Sequence, residues 1–501
     1  MRRLATLVVS LCAVGASCDL VVGVDWDAYR DSADAPPCDG ACAGTTTLVD
    51  DDAALSIAGL ARATDAGLLL IGHASGASSE LGLAGDGERA FAAKLCPSGA
   101  VVWSVAWGSG DSPVRLFDLA PDEDGGAYVV GAFRGSIAVG SPPSQLVTAA
   151  PNTEEGLVAH IRSSGEVDWV VRVGGPVIDV DSSPADNANP LAITALEAPG
   201  EQLFDEVACD DSAGRSETAL VVARLTADGR CSLRTTTSVT ASKDAGAVTS
   251  DLTFTPTGEL VFVGEYDALE QPFPLAGAVD EAQTIPVGEH GLIFNRATSD
   301  LDFEPVGLGR SPDYEGPAAG ASLTVAQDPE THDYWIVGTT VSTFAYSGVE
   351  VSGNEDGSMF VLRVEEEGNQ GEALYAGQGA GPSAGGGLGF DAEGKVYVLG
   401  WASGNVDWQG KSEVVGEADA RLLLTVIGLE LDPFGQRPIE RVSLDRGVSR
   451  TAAAFLASLP GCAPSSAIGF SGTISLADGA ESADGPALLV VPALDATALE
   501  P

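Results

Sequence analysis

The stretch FDAEGKVYVLGWASGNVDWQG, Phe390 to Gly410, decides the fold. It opens with an acidic turn, Asp391 to Gly394, in which Gly394 takes the positive φ of a tight hairpin turn without steric strain. Lys395 to Leu399 then alternates at a period of two, which predicts a strand stopping at Gly400. A second turn at Ser403 and Gly404 leads into a short strand, Asn405 to Trp408, and the unit closes at Gly410.

The same apolar strand ending in glycine recurs along the chain. It is LLLIG at Gly72, YVVG at Gly131, LVFVG at Gly264, YWIVG at Gly338 and VYVLG at Gly400, with a degenerate SAIG at Gly469. Between Gly131 and Gly264 the matching register is read as EQLFD, with Asp205 in the place of the glycine. Each landmark is followed by a second alternating run, such as FAAKL (Phe91 to Leu95), LVAHI (Leu157 to Ile161), ALVVARL (Ala219 to Leu225) or MFVLRV (Met359 to Val364). A PSG, SSG or ADG turn comes next, then a last strand such as VVWSVAW (Val101 to Trp107) or VDWVVRV (Val167 to Val173). One more short strand precedes each landmark, LFDLAP before Asp122 being the example. Seven copies of a four-stranded unit, repeated radially, make a β-propeller. The expected fold is therefore all-β, a seven-bladed propeller of four-stranded antiparallel blades over residues 45–501, with six or eight blades as alternatives. Blade boundaries are least defined over residues 176–310.

The pattern D-x-x-G-x-x-Y-V-x-G, then G-x-V-x-F/W-x-G, then F-V-x-K-L-x-x-x-G-x-x-x-W resembles the bacterial extracellular β-propeller repeat family. Asp124 to Gly140 with Leu157 to Trp169, Phe91 to Trp103, and Asp391 to Gly410 carry the resemblance, and Phe470 to Gly479 keeps its second part. It covers most of residues 54–501, with the third and fourth units departing most. The resemblance implies a propeller on an exported protein and no particular activity.

Composition agrees with many short strands joined by tight turns. Among 501 residues there are 62 Gly and 28 Pro without a three-residue period, and 45% are hydrophobic, ample for a core. The formal charge of −47 makes nucleic acid and anionic lipid headgroups improbable partners and favours a soluble monomer.

The N-terminus reads as an address. Arg2 and Arg3, the apolar run Leu4 to Val14 and the small residues Gly15-Ala16-Ser17 form an export signal over residues 1–17, with an apolar run too short to span a bilayer. Cys18 directly after it resembles the acylated cysteine of a bacterial lipoprotein, although Gly15 stands where such signals usually carry Leu. Residues 18–44 have the composition of a flexible acidic tether that would hold the body away from a membrane. Cys38, Cys42, Cys96, Cys209, Cys231 and Cys462 remain as an even set, which suggests disulfides in an exported protein. TTTLV, Thr45 to Val49, is a lone β-prone run expected to close the ring as the outermost strand of the last blade, because an open ring leaves an unpaired edge. That closure would bring Cys38 or Cys42 to Cys462, a local Cys38–Cys42 loop being the rival. Cys209 and Cys231 fall near opposite ends of their blade and pair only if the loop Asp210 to Ser216 folds back.

Catalytic signals are weak. His73, His160, His290 and His332 are scattered, no nucleophile elbow or phosphate loop occurs, and no Ser-His-Asp arrangement is legible. No cofactor is expected. Calcium is the one ion that the acidic turns suggest, at Asp122, Glu123 and Asp124 and at Asp179, Asp181 and Asp186, although turn chemistry accounts for both more simply. Trp103, Trp107, Trp169, Trp335, Trp401 and Trp408 are assigned to packing rather than to a sugar platform. The sequence thus points to a non-catalytic envelope lipoprotein that binds a protein or glycan. A propeller enzyme (a lyase, glycosidase or quinone-dependent oxidoreductase) is the alternative. Differences between copies, such as the stretches Asp179 to Asn189 and Glu265 to Glu289, are where function would reside.

Overall fold

The computed structural model describes residues 48–491 except for loop stretches between the strands and turns named here; the side-chain surroundings it describes lie between residues 55 and 402. The body is all-β, with antiparallel sheets arranged as the blades of a propeller. Sheet 1 consists of Ala54–Arg62, Leu68–Ser75, Glu88–Leu95 and Val101–Trp107, in that spatial order. Sheet 2 is Val114–Pro121, Ala127–Phe133, Glu155–Ile161 and Val167–Val173, and sheet 3 is Val177–Ser182, Leu191–Glu197, Ala219–Leu225 and Cys231–Thr240. Sheet 4 is Ser250–Phe254, Leu260–Asp267, His290–Ala297 and Phe303–Ser311; sheet 5 is Leu323–Gln327, Tyr334–Thr340, Ser358–Val364 and Gly371–Leu374. Sheet 6 is Ser383–Phe390, Val396–Ser403, Ala420–Ile427 and Ile439–Leu444. The last sheet holds Arg450–Ala457, Ser465–Leu476 and Gly479–Val491, and its fourth strand is Leu48–Asp50, with Leu48 opposite Val490.

The landmark glycine does not end its strand, as the pattern suggests, but sits inside it. The reason is a bulge in the first strand of the sheet. In sheets 1, 2 and 6 the register slips by one residue, between Ile57 and Gly59, Leu116 and Asp118, and Gly385 and Gly387, opposite the landmark. The slip pushes a carbonyl towards the second strand: a Cβ on Gly72 would lie 2.1 Å from the Ser56 oxygen, and one on Gly131 2.0 Å from that of Arg115. At Gly72 and Gly131 a side chain would collide with that carbonyl, so glycine is the residue that fits.

Sheet 3 corrects the sequence reading. Its second strand is Leu191–Glu197 rather than EQLFD, and Ala195 takes the landmark register opposite the bulge between Val177 and Asp179. Leu203 and Phe204 instead pack, in the link after that strand, among Val177, Val180, Ile193 and Val221. Asp205 lies outside the described residues.

The core is a series of layers between sheets. Sheets 1 and 2 share one layer (Trp103, Trp107, Leu116, Val129, Leu157), sheets 2 and 3 another (Tyr128, Val158, Ile193, Val221), and sheets 3 and 4 a third (Leu196, Leu220, Phe254, Phe262). Among the described residues, second and third strands are apolar on both faces and read as continuous runs, fully buried in AYVVGAF and YWIVGTT. Links from first to second and from third to fourth strand lie at one end of the sheets, called here the turn end. Links from second to third strand lie at the opposite end, the hairpin end.

Candidate functional site

First strands of consecutive sheets lie beside one another, so each presents an unpaired row of backbone N–H groups to its neighbour. In sheets 3, 4 and 5 aspartates from the preceding sheet satisfy one or two of them. The Asp118 carboxylate accepts the Val180 N–H at 2.9 Å, that of Asp179 accepts Leu252 N–H at 2.7 Å, and that of Asp251 accepts Val325 N–H at 2.5 Å. Asp181 adds a second rung, accepting Phe254 N–H at 2.7 Å and the Thr253 hydroxyl at 3.0 Å. Asp118, Asp179 and Asp251 hold the same register, one residue past the landmark level. Asp179 is buried; the other three are half-buried as residues, with their carboxyl groups enclosed by neighbouring strands. Burial is the first cause that pushes all four upward, taking Asp181 to about 6.

A second recurring position lies in the third strand, near the turn end, where Lys94, His160, Arg224, Arg296 and Arg363 stand in equivalent register. In so acidic a chain these basic side chains are placed selectively. Lys94 is buried and donates to Asp65 and to the carbonyl of Gly125 in the next sheet, both at 2.6 Å. Arg363 donates from Nε to Asp333 at 2.8 Å, and Arg224 lies 4.8 Å from the ring centroid of Phe254 in the next sheet. His160 sits between Asp122 (2.8 Å from Nε2) and Asp168 (3.4 Å from Nδ1), stacked on Tyr128 at 4.7 Å. Burial, then the surrounding carboxylates, lift the Tyr128 phenol to about 12. Sequence reasoning missed this group, because Asp122 is 38 residues from His160 and the register aligning Tyr128, His160 and Trp169 is a property of pairing.

The acidic turns do turn chemistry. Asp122 accepts the N–H groups of Asp124 and Gly126 besides the His160 contact. Asp179 and Asp181, read from the sequence as part of a loop, are inner-strand residues, and Asp186 lies outside the described residues. Among the described residues, no three His, Cys, Asp or Glu side chains converge as metal ligands. His73 is half-buried with its enclosed Nε2 unpartnered, and desolvation pushes its pKa down. His290 begins a strand, and His332 sits in a turn at φ 62° beside Glu366.

Trp103, Trp107 and Trp335 are buried in the layers, Trp169 and Trp401 are half-buried, and the surroundings of Trp408 are outside those described. Only Trp103 and Trp169 share a register, opposite Lys94 and His160. Each supports the next sheet's SSG or ADG turn: a Cβ on Gly165 would lie 2.6 Å from Trp103, and one on Gly229 2.7 Å from Trp169. The Trp169 indole also donates to the carbonyl of Ala227 at 3.0 Å.

Cys209 and Cys231 are disulfide-bonded, and Cys96 is half-buried. Leu203 and Phe204, ahead of Cys209, are buried in the same layer as both cysteines, and the loop Asp210 to Ser216 lies outside the described residues. Cys18, Cys38, Cys42 and Cys462 lie outside the described residues.

The hairpin end is elaborated sheet by sheet. Small hairpins join second and third strands in sheet 2 (Ser136–Val139 with Gln145–Thr148), sheet 4 (Phe273–Pro274 with Thr284–Ile285), sheet 5 (Phe344–Tyr346 with Val349–Val351) and sheet 6 (Asn405–Trp408 with Lys411–Val414). In the last sheet, Ser465–Leu476 and Gly479–Val491 pair all the way to Leu476 and Gly479. Hairpins reach back towards the preceding sheet: Ile137 and Val139 are buried with Trp103 and Trp107, while Ala345 and Tyr346 pair with Arg310 and Gly309.

No family model and no curated protein matches the chain. Solved structures similar to it include a protein of unknown function from Dyadobacter fermentans (10% identity, TM-score 0.37, 90% of this chain and 98% of that one). The leech intramolecular trans-sialidase is 11% identical at TM-score 0.33, covering 84% of this chain and 65% of its own. The intramolecular trans-sialidase of Ruminococcus gnavus is 10% identical at TM-score 0.34, covering 92% and 99%. At these values neither the activity nor the ligand of those proteins transfers to this chain.

Proposed function

We propose that the chain is an exported, lipid-anchored envelope protein of the bacterial extracellular β-propeller repeat family. Its seven blades form one closed ring that acts as a non-catalytic binding or scaffold module for a protein or glycan. The pairing of Leu48–Asp50 with Gly479–Val491 supports closure, as does the approach of Arg450–Ala457 to Ala54–Arg62. The Cys209–Cys231 bond supports an extracytoplasmic address. The observation that carries the binding role is the hairpin end, where similar sheets bear second-to-third links of different length and sequence. Loops on a rigid scaffold are where recognition is placed, and the enclosed inner carboxyls are already engaged in holding sheets together.

Replacing the Ser136–Thr148 hairpin with a short Gly-Ser turn tests the role. Screened against arrays of bacterial and animal glycans and by cross-linking to whole envelopes, the parent should retain a ligand that the variant loses. Turnover of a glycan probe by both proteins would overturn the non-catalytic reading. Mass spectrometry of the mature N-terminus should show acylated Cys18, and an unmodified terminus would refute the anchor. Removing residues 19–50 should sharply lower the melting temperature; no change would refute closure.

A further inference from the structure

The carboxyls of the inner strands are unusual in facing each other as well as the backbone. Asp118 and Asp179, on neighbouring first strands, are hydrogen-bonded carboxyl to carboxyl. Such a contact needs a shared proton, since two carboxylates in a buried site repel. The set continues around the inner strands. The charge of Asp251 acts on Asp179, those of Asp118 and Asp181 act on Asp251, and that of Asp118 acts on Asp181, each pushing the other carboxyl upward. Each member also accepts a backbone amide of the next sheet: Val180, Leu252, Phe254 and Val325.

We propose that Asp118, Asp179, Asp181 and Asp251 form a proton-operated latch, which holds the inner edges of sheets 2 to 5 together while protons are shared and loosens them once the carboxyls ionise. Burial raises all four above the ordinary carboxyl range. A carboxyl that holds its proton more tightly in the folded than in the unfolded chain contributes stability fully below its unfolded value. That contribution is lost as pH rises through the folded value. For Asp181 the window runs from 3.8 to about 6, on the order of a hundred-fold in the folding equilibrium. The dependence is opposite in sign to that of a carboxylate paired with a cation.

Chemical unfolding of the mature chain between about pH 4.5 and pH 8 tests the latch, using Asp179→Asn, Asp181→Asn and the exposed control Glu123→Gln. Asparagine keeps an acceptor oxygen for the Leu252 or Phe254 amide but does not ionise. Each inner variant should match the parent near pH 4.5 and exceed its folding constant by about ten-fold or more at pH 8. The control should follow the parent, which separates the latch from the general repulsion of a chain carrying a charge of −47. Inner variants that parallel the parent throughout, or are weaker at pH 8, overturn the proposal. If they do not fold, hydrogen exchange in the parent decides. Corrected for intrinsic rates, segments containing Val180, Leu252 and Val325 should lose more protection from pH 5 to pH 8 than the segment containing Val129; equal loss overturns the latch.

Discussion

Gly131→Ala isolates the cause of the glycine landmark. The added Cβ would stand 2.0 Å from the Arg115 carbonyl oxygen and 2.9 Å from Leu116 Cα, where contacts under 3.0 Å are essentially never seen. Both neighbours are backbone, so no rotamer relieves the clash; the first strand of sheet 2 must move by about 1 Å, and overpacking of this kind costs about 1–3 kcal/mol. The displaced segment also carries Asp118 to the Val180 amide, and losing that bond adds about 1–2 kcal/mol. A total of about 2–5 kcal/mol is expected. Gly87→Ala is the matched control: its φ of +106° is strained for alanine, but nothing lies within 4 Å of the new methyl, so the cost is backbone strain of about 1–2 kcal/mol. Urea unfolding followed by tryptophan fluorescence compares them. Destabilisation by Gly131→Ala no greater than by Gly87→Ala would show that the bulged carbonyl is not the reason for the glycine.

Other substitutions probe the joints between sheets. Lys94→Met removes the ammonium linking Asp65 to the Gly125 carbonyl and should cost about 1–2 kcal/mol, since the partly exposed Asp65 can rehydrate; an unchanged urea midpoint would refute the link. Reducing Cys209–Cys231, 22 residues apart, should cost about 3 kcal/mol through the entropy regained by the unfolded loop, read as a midpoint shift with and without reductant. Trp169→Phe keeps an aromatic under Gly229 but loses the bond to Ala227, a loss of about 1 kcal/mol. Equal stability of parent and variant would mean that the indole N–H is not needed.

Fourth strands such as VVWSVAW and VDWVVRV are legible residue for residue, because Gly-containing turns punctuate their alternating runs, whereas the third-strand run FAAKL is only part of Glu88–Leu95. The strand LAITALE escaped notice, being buried on both faces, without alternation and without the glycine. Asp179 and Asp181 read as loop residues in the sequence because aspartate is depleted in strands, and their partners, 73 residues away, are backbone groups that no side-chain pattern reports. The His160 group was hidden likewise, since its members meet through register across three strands.

The stitching between inner strands has a direction. Asp118 reaches sheet 3, Asp179 and Asp181 reach sheet 4, and Asp251 reaches sheet 5, each forward along the chain. For a polypeptide emerging amino end first, every such acceptor is in place before the amide it will receive. Each newly arrived inner strand can then be captured by its predecessor, so assembly can keep pace with emergence and leave little naked edge for another chain to join.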